Sequence, residues 1–122
     1  MADPTSLLEW LDHSIARAEQ DYTIHTGHQS ACELHKSGRV TGGLKYAEGR
    51  LVALTALHRR VRKPAPGDPA ALAELLAAEH ARWQQLLQTH QHAERPSLPW
   101  VAYAQGGVDA LAQCLAFCTE QT

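Results

Sequence analysis

The sequence predicts an all-α protein, a four-helix bundle built from two tandem helical hairpins. Three observations predict this fold. Apolar residues recur at the spacings of three and four that define one face of a helix, proline and glycine separate the periodic stretches, and the chain repeats itself. The segment 44–54 returns as 101–111, so that Tyr46 corresponds to Tyr103 at an offset of 57 residues.

The chain is expected to form one domain, 1–122, because 122 residues can build one hydrophobic core without disulfide or metal support. A second offset, of 65 residues, relates Asp3 to Asp68 and exceeds the first by eight (65 − 57). We therefore expect hairpin repeats over 3–63 and 68–121, with the extra residues near the tip of the first. Short connections favour an up-and-down bundle within one chain. The alternative exchanges hairpins between two chains and gives an intertwined dimer.

The first helix is predicted to begin at Asp3-Pro4, because aspartate accepts hydrogen bonds at an N-cap and proline suits the first helical turn. Gly27 weakens the helical pattern by about 1 kcal/mol. The helix is nevertheless expected to continue toward residue 35, either unbroken or with a frayed or kinked part near Gly27. Its apolar face consists of Leu8, Leu11, Ile15, Ala18, Tyr22 and His25.

The second helix is predicted to start at Thr41, a suitable N-cap, and to end in basic residues near Lys63, which suit the negative end of the helix dipole. One buried face consists of Leu44, Ala47, Leu51, Leu54, His58 and Val61. A second face consists of Tyr46, Gly49, Ala53 and Leu57. The small residues of the second face permit close approach of a neighbouring helix. The polar arc is assigned to Lys45, Glu48, Thr55, Arg59 and Arg62.

The third helix is predicted to begin at Asp68-Pro69 and to end near Glu94, ahead of Pro96. Its face consists of Leu72, Leu76, Glu79 or His80, Trp83, Leu86 and Leu87. The fourth helix is predicted around Pro99, with a face of Val101, Ala104, Val108, Leu111, Leu115 and Cys118. We expect helices two and four to meet closely. The predicted interface residues are Tyr46, Gly49, Ala53, Tyr103, Gly106 and Ala110, with Trp100 as an exposed contact residue at a hairpin tip.

Composition narrows the function classes. A net charge of −2 gives no general attraction to nucleic acid, and no run approaches the roughly 18 apolar residues of a membrane-spanning helix. Three cysteines and the absence of a secretion signal indicate reduced thiols and a cytoplasmic location. Cys114 and Cys118 are expected to pack in the core rather than to bind a soft metal or act in redox chemistry.

A stripe of histidine and cysteine gives a metal-binding hypothesis. This His/Cys stripe consists of His25, His28, Cys32 and His35, at spacings of three, four and three. Such spacings bring side chains together on adjacent turns of a helix, and His90, the counterpart of His25, adds a fifth candidate ligand. Imidazole and thiolate ligands favour zinc or copper. A polar hairpin tip without metal explains the same residues and is the favoured interpretation.

A basic run at the end of the second helix gives a nucleic-acid hypothesis. It consists of Arg59, Arg60, Arg62 and Lys63. These residues can contact phosphates, but no helix-turn-helix pattern or interleaved aromatic residues accompany them. Charge stabilisation of the helix end is the favoured interpretation. For Arg50, between the two buried faces, an ion pair with Glu74 or Glu79 is favoured over anion or partner binding.

No catalytic motif accompanies the repeat, because the sequence contains no HExxH, CxxC or GxSxG pattern. We therefore expect a non-enzymatic helical module that forms a homodimer or higher oligomer and acts through contact with a protein partner. A metal-binding bundle is the alternative, with zinc or copper as its cofactor. Nucleic-acid binding through the basic run is a further alternative that the sequence does not favour.

Overall fold

A computed structural model describes residues 3–27, 42–63 and 69–120, and every regular element within them is an α-helix. The helices are α1 (Pro4–Thr26), α2 (Gly42–Arg62), α3 (Pro69–Gln91) and α4 (Leu98–Glu120). The predicted all-α class and the helical bundle are confirmed. The tandem origin of the hairpins and their exchange between two chains stay predictions.

Both ends of α1 are capped. The Oδ1 atom of Asp3 accepts a hydrogen bond from the Ser6 backbone N–H at 2.8 Å, as expected of an N-cap. At the other end Gly27 adopts φ 58° and ψ 34°, and its N–H donates to the Thr23 carbonyl oxygen. The expectation that the helix passes through Gly27 is therefore wrong, because glycine enters the left-handed region without a Cβ penalty and ends the helix there. The predicted continuation to residue 35 lies outside the described residues.

Helices α2 and α4 form the central pair. Gly49 of α2 lies so close to α4 that an added Cβ would overlap the backbone carbonyl oxygen of Tyr103. Gly106 of α4 makes the reciprocal contact with the carbonyl oxygen of Tyr46. The same 57-residue offset relates the two glycines and the two tyrosines. Only a residue without a side chain permits this approach of two helix backbones.

The remaining helices flank the central pair. Helix α1 packs on α2 and α3 packs on α4, whereas α2 and α3 make few backbone contacts with each other. Two hydrogen bonds show that α2 and α4 run in the same direction, since Tyr46 binds Asp109 and Arg50 binds Gln113 at a common offset of 63 residues. The close contact of α2 with α4 thus leaves a groove on each side, one between α2 and α3 and one between α1 and α4.

The core lies between all four helices. The largest fully buried side chains are Leu7, Leu11, Leu54, Leu57, Val61, Leu72, Leu76, Leu111, Cys114 and Cys118. Each buried leucine stabilises the fold by roughly 1.5–3 kcal/mol relative to an exposed one. Burial, assisted by the neighbouring Cys118, raises the pKa of the Cys114 thiol far above its ordinary value. The thiol is therefore neutral and acts as a small apolar side chain, in agreement with the predicted core role.

Lys45 departs from its predicted place on the polar arc, because only 6% of the residue is exposed. Its Nζ atom lies 3.1 Å from the Glu48 carboxylate and 4.5 Å from the centroid of the Trp100 ring. The ion pair and the cation–π contact compensate for the loss of hydration around the ammonium group. Helical spacing within α2 does not reveal this burial, since the covering ring comes from α4.

Candidate functional site

The groove between α2 and α3, with a volume of about 580 Å³, combines an apolar floor with charged walls. The floor consists of Val52, Ala56, Trp83, Leu86 and Tyr103. The walls carry Arg59, Arg60, Lys63, Arg82 and Glu79. We call this surface the basic groove. Four of its five charged residues are cationic, so the groove is locally positive on a chain whose net charge is −2.

Glu79 of α3 orients two of the cations of the basic groove. Only 2% of the residue is exposed, and its Oε1 atom forms an ion pair with Arg60 at 2.7 Å and accepts a hydrogen bond from Arg82 at 3.1 Å. Half or more of each arginine side chain remains exposed, 52% for Arg60 and 66% for Arg82. A guanidinium has five N–H donors. Glu79 therefore orients two cations that keep further donors for a ligand.

The end of α2 carries two further cations that form no ion pair with a described acidic residue. Arg59 and Lys63 lie one turn apart at the end of α2, and both side chains are exposed. Within the described part of the chain neither side chain forms an ion pair. The four cations thus fall into a pair that Glu79 orients, Arg60 and Arg82, and a pair that it does not contact, Arg59 and Lys63.

The aromatic part of the floor is held in place by packing. The rings of Trp83 and Tyr103 lie 5.4 Å apart at an interplanar angle of 49°. Trp83 also lies against Gly107, where an added Cβ would overlap the indole ring. Burial, together with the negative charge of Glu48, raises the pKa of the Tyr103 phenol, which stays neutral at physiological pH. The floor is a fixed apolar surface.

The groove between α1 and α4, with a volume of about 440 Å³, is the counterpart of the basic groove. The sequence offsets of 65 and 57 residues relate Arg82 to Arg17 and Lys63 to Glu120. Its charged residues are Arg17, Asp21, Arg50 and Glu120. Two positive and two negative charges cancel there. Of these two related grooves, the one between α2 and α3 alone carries an excess of cations.

Arg50 does not pair with Glu74 or Glu79, so the expected ion pair is wrong. Its Nη2 atom donates to the Gln113 side-chain oxygen at 2.9 Å, on the face toward the α1–α4 groove. Glu79 is occupied by two other arginines. The partner of Arg50 depends on the register between α2 and α4, which no local pattern specifies.

The structure divides the predicted anion-binding residues. Arg59, Arg60 and Lys63 line the basic groove, whereas Arg62 is exposed outside its lining and Arg50 faces the other groove. Sequence reasoning missed Arg82, which joins the basic run across the gap between two helices. Its spacing of three from Glu79 on α3 indicates the ion pair between these two residues, but not their position beside the end of α2.

The structure describes two of the five predicted metal ligands, His25 and His90, and the metal-binding hypothesis stays a prediction. His25 lies beside Gly43 at the start of α2, and His90 stacks on Trp100, with ring centroids 6.1 Å apart. His28, Cys32 and His35 lie outside the described residues. Among residues 3–27, 42–63 and 69–120 no three histidine, cysteine or acidic side chains form a group that can hold a metal ion.

The predicted interface residues lie mainly inside the chain. Tyr46, Gly49, Tyr103 and Gly106 form the contact between α2 and α4, and Ala53 and Ala110 are buried in the core. An intermolecular contact through these six residues requires exchange of hairpins between two chains. Trp100 differs, because it is 44% exposed while it stacks on His90 and meets Tyr103 edge-on.

No family model matches this chain, and no curated protein or solved structure matches it. In the part of the chain that the structure describes, none of the helices has the length and apolar character needed to cross a membrane.

Proposed function

We propose that this protein is a non-enzymatic interaction module that binds a protein partner in the basic groove. The observation that carries the proposal is the combination of apolar residues and four cations in the lining of one groove. Val52 on that floor is 40% exposed, although it is a β-branched aliphatic residue. Exposed apolar surface with a charged rim is typical of sites that bind another protein.

The chemistry of the groove supports recognition rather than catalysis. The one carboxylate among the lining residues, that of Glu79, is buried and forms ion pairs with two arginines, so its role is to orient them. The remaining charged groups are guanidinium and ammonium groups, which bind anions by hydrogen bonding and charge. The arrangement suits attraction and orientation of a partner of opposite charge.

Self-association is the second part of the proposal. Leu98 and Trp100, at the start of α4, are 77% and 44% exposed, which supports a contact between two copies at this tip. Light scattering after gel filtration is expected to give the mass of a dimer or larger oligomer, and Trp100→Ala is expected to reduce it. A monomeric mass across micromolar concentrations would refute self-association and leave the groove proposal intact.

A photo-crosslinking experiment tests the binding function. Benzoylphenylalanine in place of Val52 is expected to crosslink to a protein in cells that naturally produce this chain. The matched control is the same residue in place of Ile24, an aliphatic residue on α1 that is 74% exposed. The crosslink should disappear when Arg59→Glu and Lys63→Glu are introduced with the probe. Equal crosslinking from both positions, no protein adduct from Val52, or an adduct with nucleic acid alone would overturn the proposal.

A further inference from the structure

We infer that the ligand of the basic groove is an acidic amphipathic helix of about three turns, supplied by a partner protein. This inference rests on the proposed function and specifies its partner. It follows from the length of the groove, the position of its apolar residues and the arrangement of its cations.

The dimensions of the groove suit a short helix. Along α2 the lining runs from Val52 to Lys63, eleven residues apart, which corresponds to about 16 Å at 1.5 Å per residue. A groove between two helices accepts a third helix by the interdigitation that packs helices in proteins. Within the described residues the chain has no strand whose edge an extended peptide could join. A helix of about three turns therefore fills the available length.

The apolar floor defines the buried face of that helix. Val52 and Ala56 lie one turn apart on α2, and Leu86 faces them from α3. Ala56 has a small side chain and leaves space next to Val52 and Leu86, so a leucine or a comparable side chain of the partner can enter there. A partner helix with apolar residues at spacings of three and four presents a matching stripe. The floor thus requires an amphipathic partner rather than a uniformly polar one.

The cations define the sign of the partner. Arg59, Arg60 and Lys63 come from the end of α2 and Arg82 comes from α3, so both helices that form the groove contribute cations. Carboxylates that flank an apolar stripe would meet guanidinium and ammonium donors on each side. Because Glu79 already holds Arg60 and Arg82, less side-chain entropy is lost when these two arginines bind a ligand. Acidic residues on both flanks are the complementary pattern.

Two observations favour a protein helix over nucleic acid. The indole of Trp83 packs against Gly107 and Tyr103, so its ring is a part of the floor rather than a free platform for base stacking. The cations also share the groove with an apolar surface, which a phosphate backbone would cover without any compensating contact. We therefore expect a protein helix, and the test below includes nucleic acid as the competing ligand.

The test uses synthetic helices of about 16 residues, a length at which helix formation in water begins. One peptide carries leucines along a single stripe with glutamates on both flanks, and its matched control carries lysines in place of the glutamates. Fluorescence anisotropy with the full chain measures both affinities. The acidic peptide is expected to bind at least about tenfold more tightly than the basic one, and less tightly as salt is raised.

A charge swap locates the interaction. Arg59→Glu with Lys63→Glu is expected to weaken the acidic peptide about tenfold or more and to strengthen the basic peptide. Arg17→Glu, in the α1–α4 groove, is expected to leave both affinities unchanged. Both swapped residues are exposed, and an unchanged thermal midpoint verifies the fold. Arg59→Gln with Lys63→Gln should give an intermediate affinity, so the inference stays testable if the reversal unfolds the protein.

Several results would overturn the inference. They are equal affinity for the two peptides, no effect of the swap, an equal effect of Arg17→Glu, or binding of a single-stranded oligonucleotide without binding of the acidic peptide. A protein crosslink at Val52 without acidic-peptide binding would refute the partner class and leave the proposed function standing. Absence of a protein crosslink from Val52 in the chain without any charge swap would refute the proposed function itself.

Discussion

Replacement of Gly49 by alanine tests the contact on which the bundle is centred. A Cβ at this position would overlap the carbonyl oxygen of Tyr103, which belongs to the backbone of α4 and cannot rotate away. The two helices must therefore separate, and the side chains packed around the contact must rearrange. Overpacking of this kind typically costs 1–3 kcal/mol, about 1 kcal/mol of which the better helix propensity of alanine offsets. Because a whole helix must move, we expect the upper part of that range, a net loss of about 2 kcal/mol.

Urea denaturation followed by circular dichroism measures this loss. The matched control is Gly42→Ala in the same helix, where the nearest atom to an added Cβ is the Ala102 methyl group at 4.0 Å. That substitution should change stability by a few tenths to about 1 kcal/mol in the stabilising direction. The expected difference between the two variants is thus about 2–3 kcal/mol, and Gly49→Ala should melt roughly 5–10 °C below the wild-type protein.

The partner glycine provides an internal check. Gly106→Ala should cost about as much as Gly49→Ala, because it makes the reciprocal contact with the Tyr46 carbonyl oxygen. Once one substitution has separated the helices, the second should cost less, so the double variant should be more stable than additivity predicts. If Gly49→Ala is as stable as Gly42→Ala, or if the two glycine variants are additive, α2 and α4 do not meet in this way.

Three further predictions follow from other parts of the molecule. Glu79→Gln should destabilise the fold by about 1–2 kcal/mol in urea denaturation, since a buried amide replaces the carboxylate that two arginines share. Glu74→Gln, at an exposed position, is the control. Equal losses of stability in the two variants would contradict the role of Glu79. The free energy of unfolding should fall above about pH 9, because Cys114 loses its thiol proton in the unfolded state but retains it in the folded state. Cys114→Ala should reduce this fall. The same pH dependence of stability in both proteins would refute the role of the Cys114 thiol. Elemental analysis of untagged protein should find zinc or copper at stoichiometric level if the His/Cys stripe binds metal, and absence of metal together with no thermal shift on adding either ion would refute that hypothesis.

Much of the fold could be predicted because the signals are local. The N-cap at Asp3 and the proline at the start of α3 depend on neighbouring residues alone, and the structure has both features. The glycine line of α2 also indicated a close helical neighbour. Gly27 shows the limit of local reasoning, since the same residue can weaken a helix or cap it. Its left-handed conformation decided the outcome.

The candidate site was less predictable because it joins residues that are distant in sequence. The basic run supplied Arg59, Arg60 and Lys63, but Arg82 and the role of Glu79 emerged only from the placement of α3 beside the end of α2. The charge of the groove depends on that juxtaposition. No spacing within a single helix encodes it.

The sequence by itself determined which segments are helical, where most of them begin, and that two glycines 57 residues apart are suited to a close contact. These properties depend on backbone conformation and side-chain periodicity within one segment. The tertiary structure alone decided that Lys45 is buried under Trp100, that Arg50 binds Gln113, and that one of two related grooves is strongly cationic. Those features depend on the register and distance between helices, which the packing of the whole core sets.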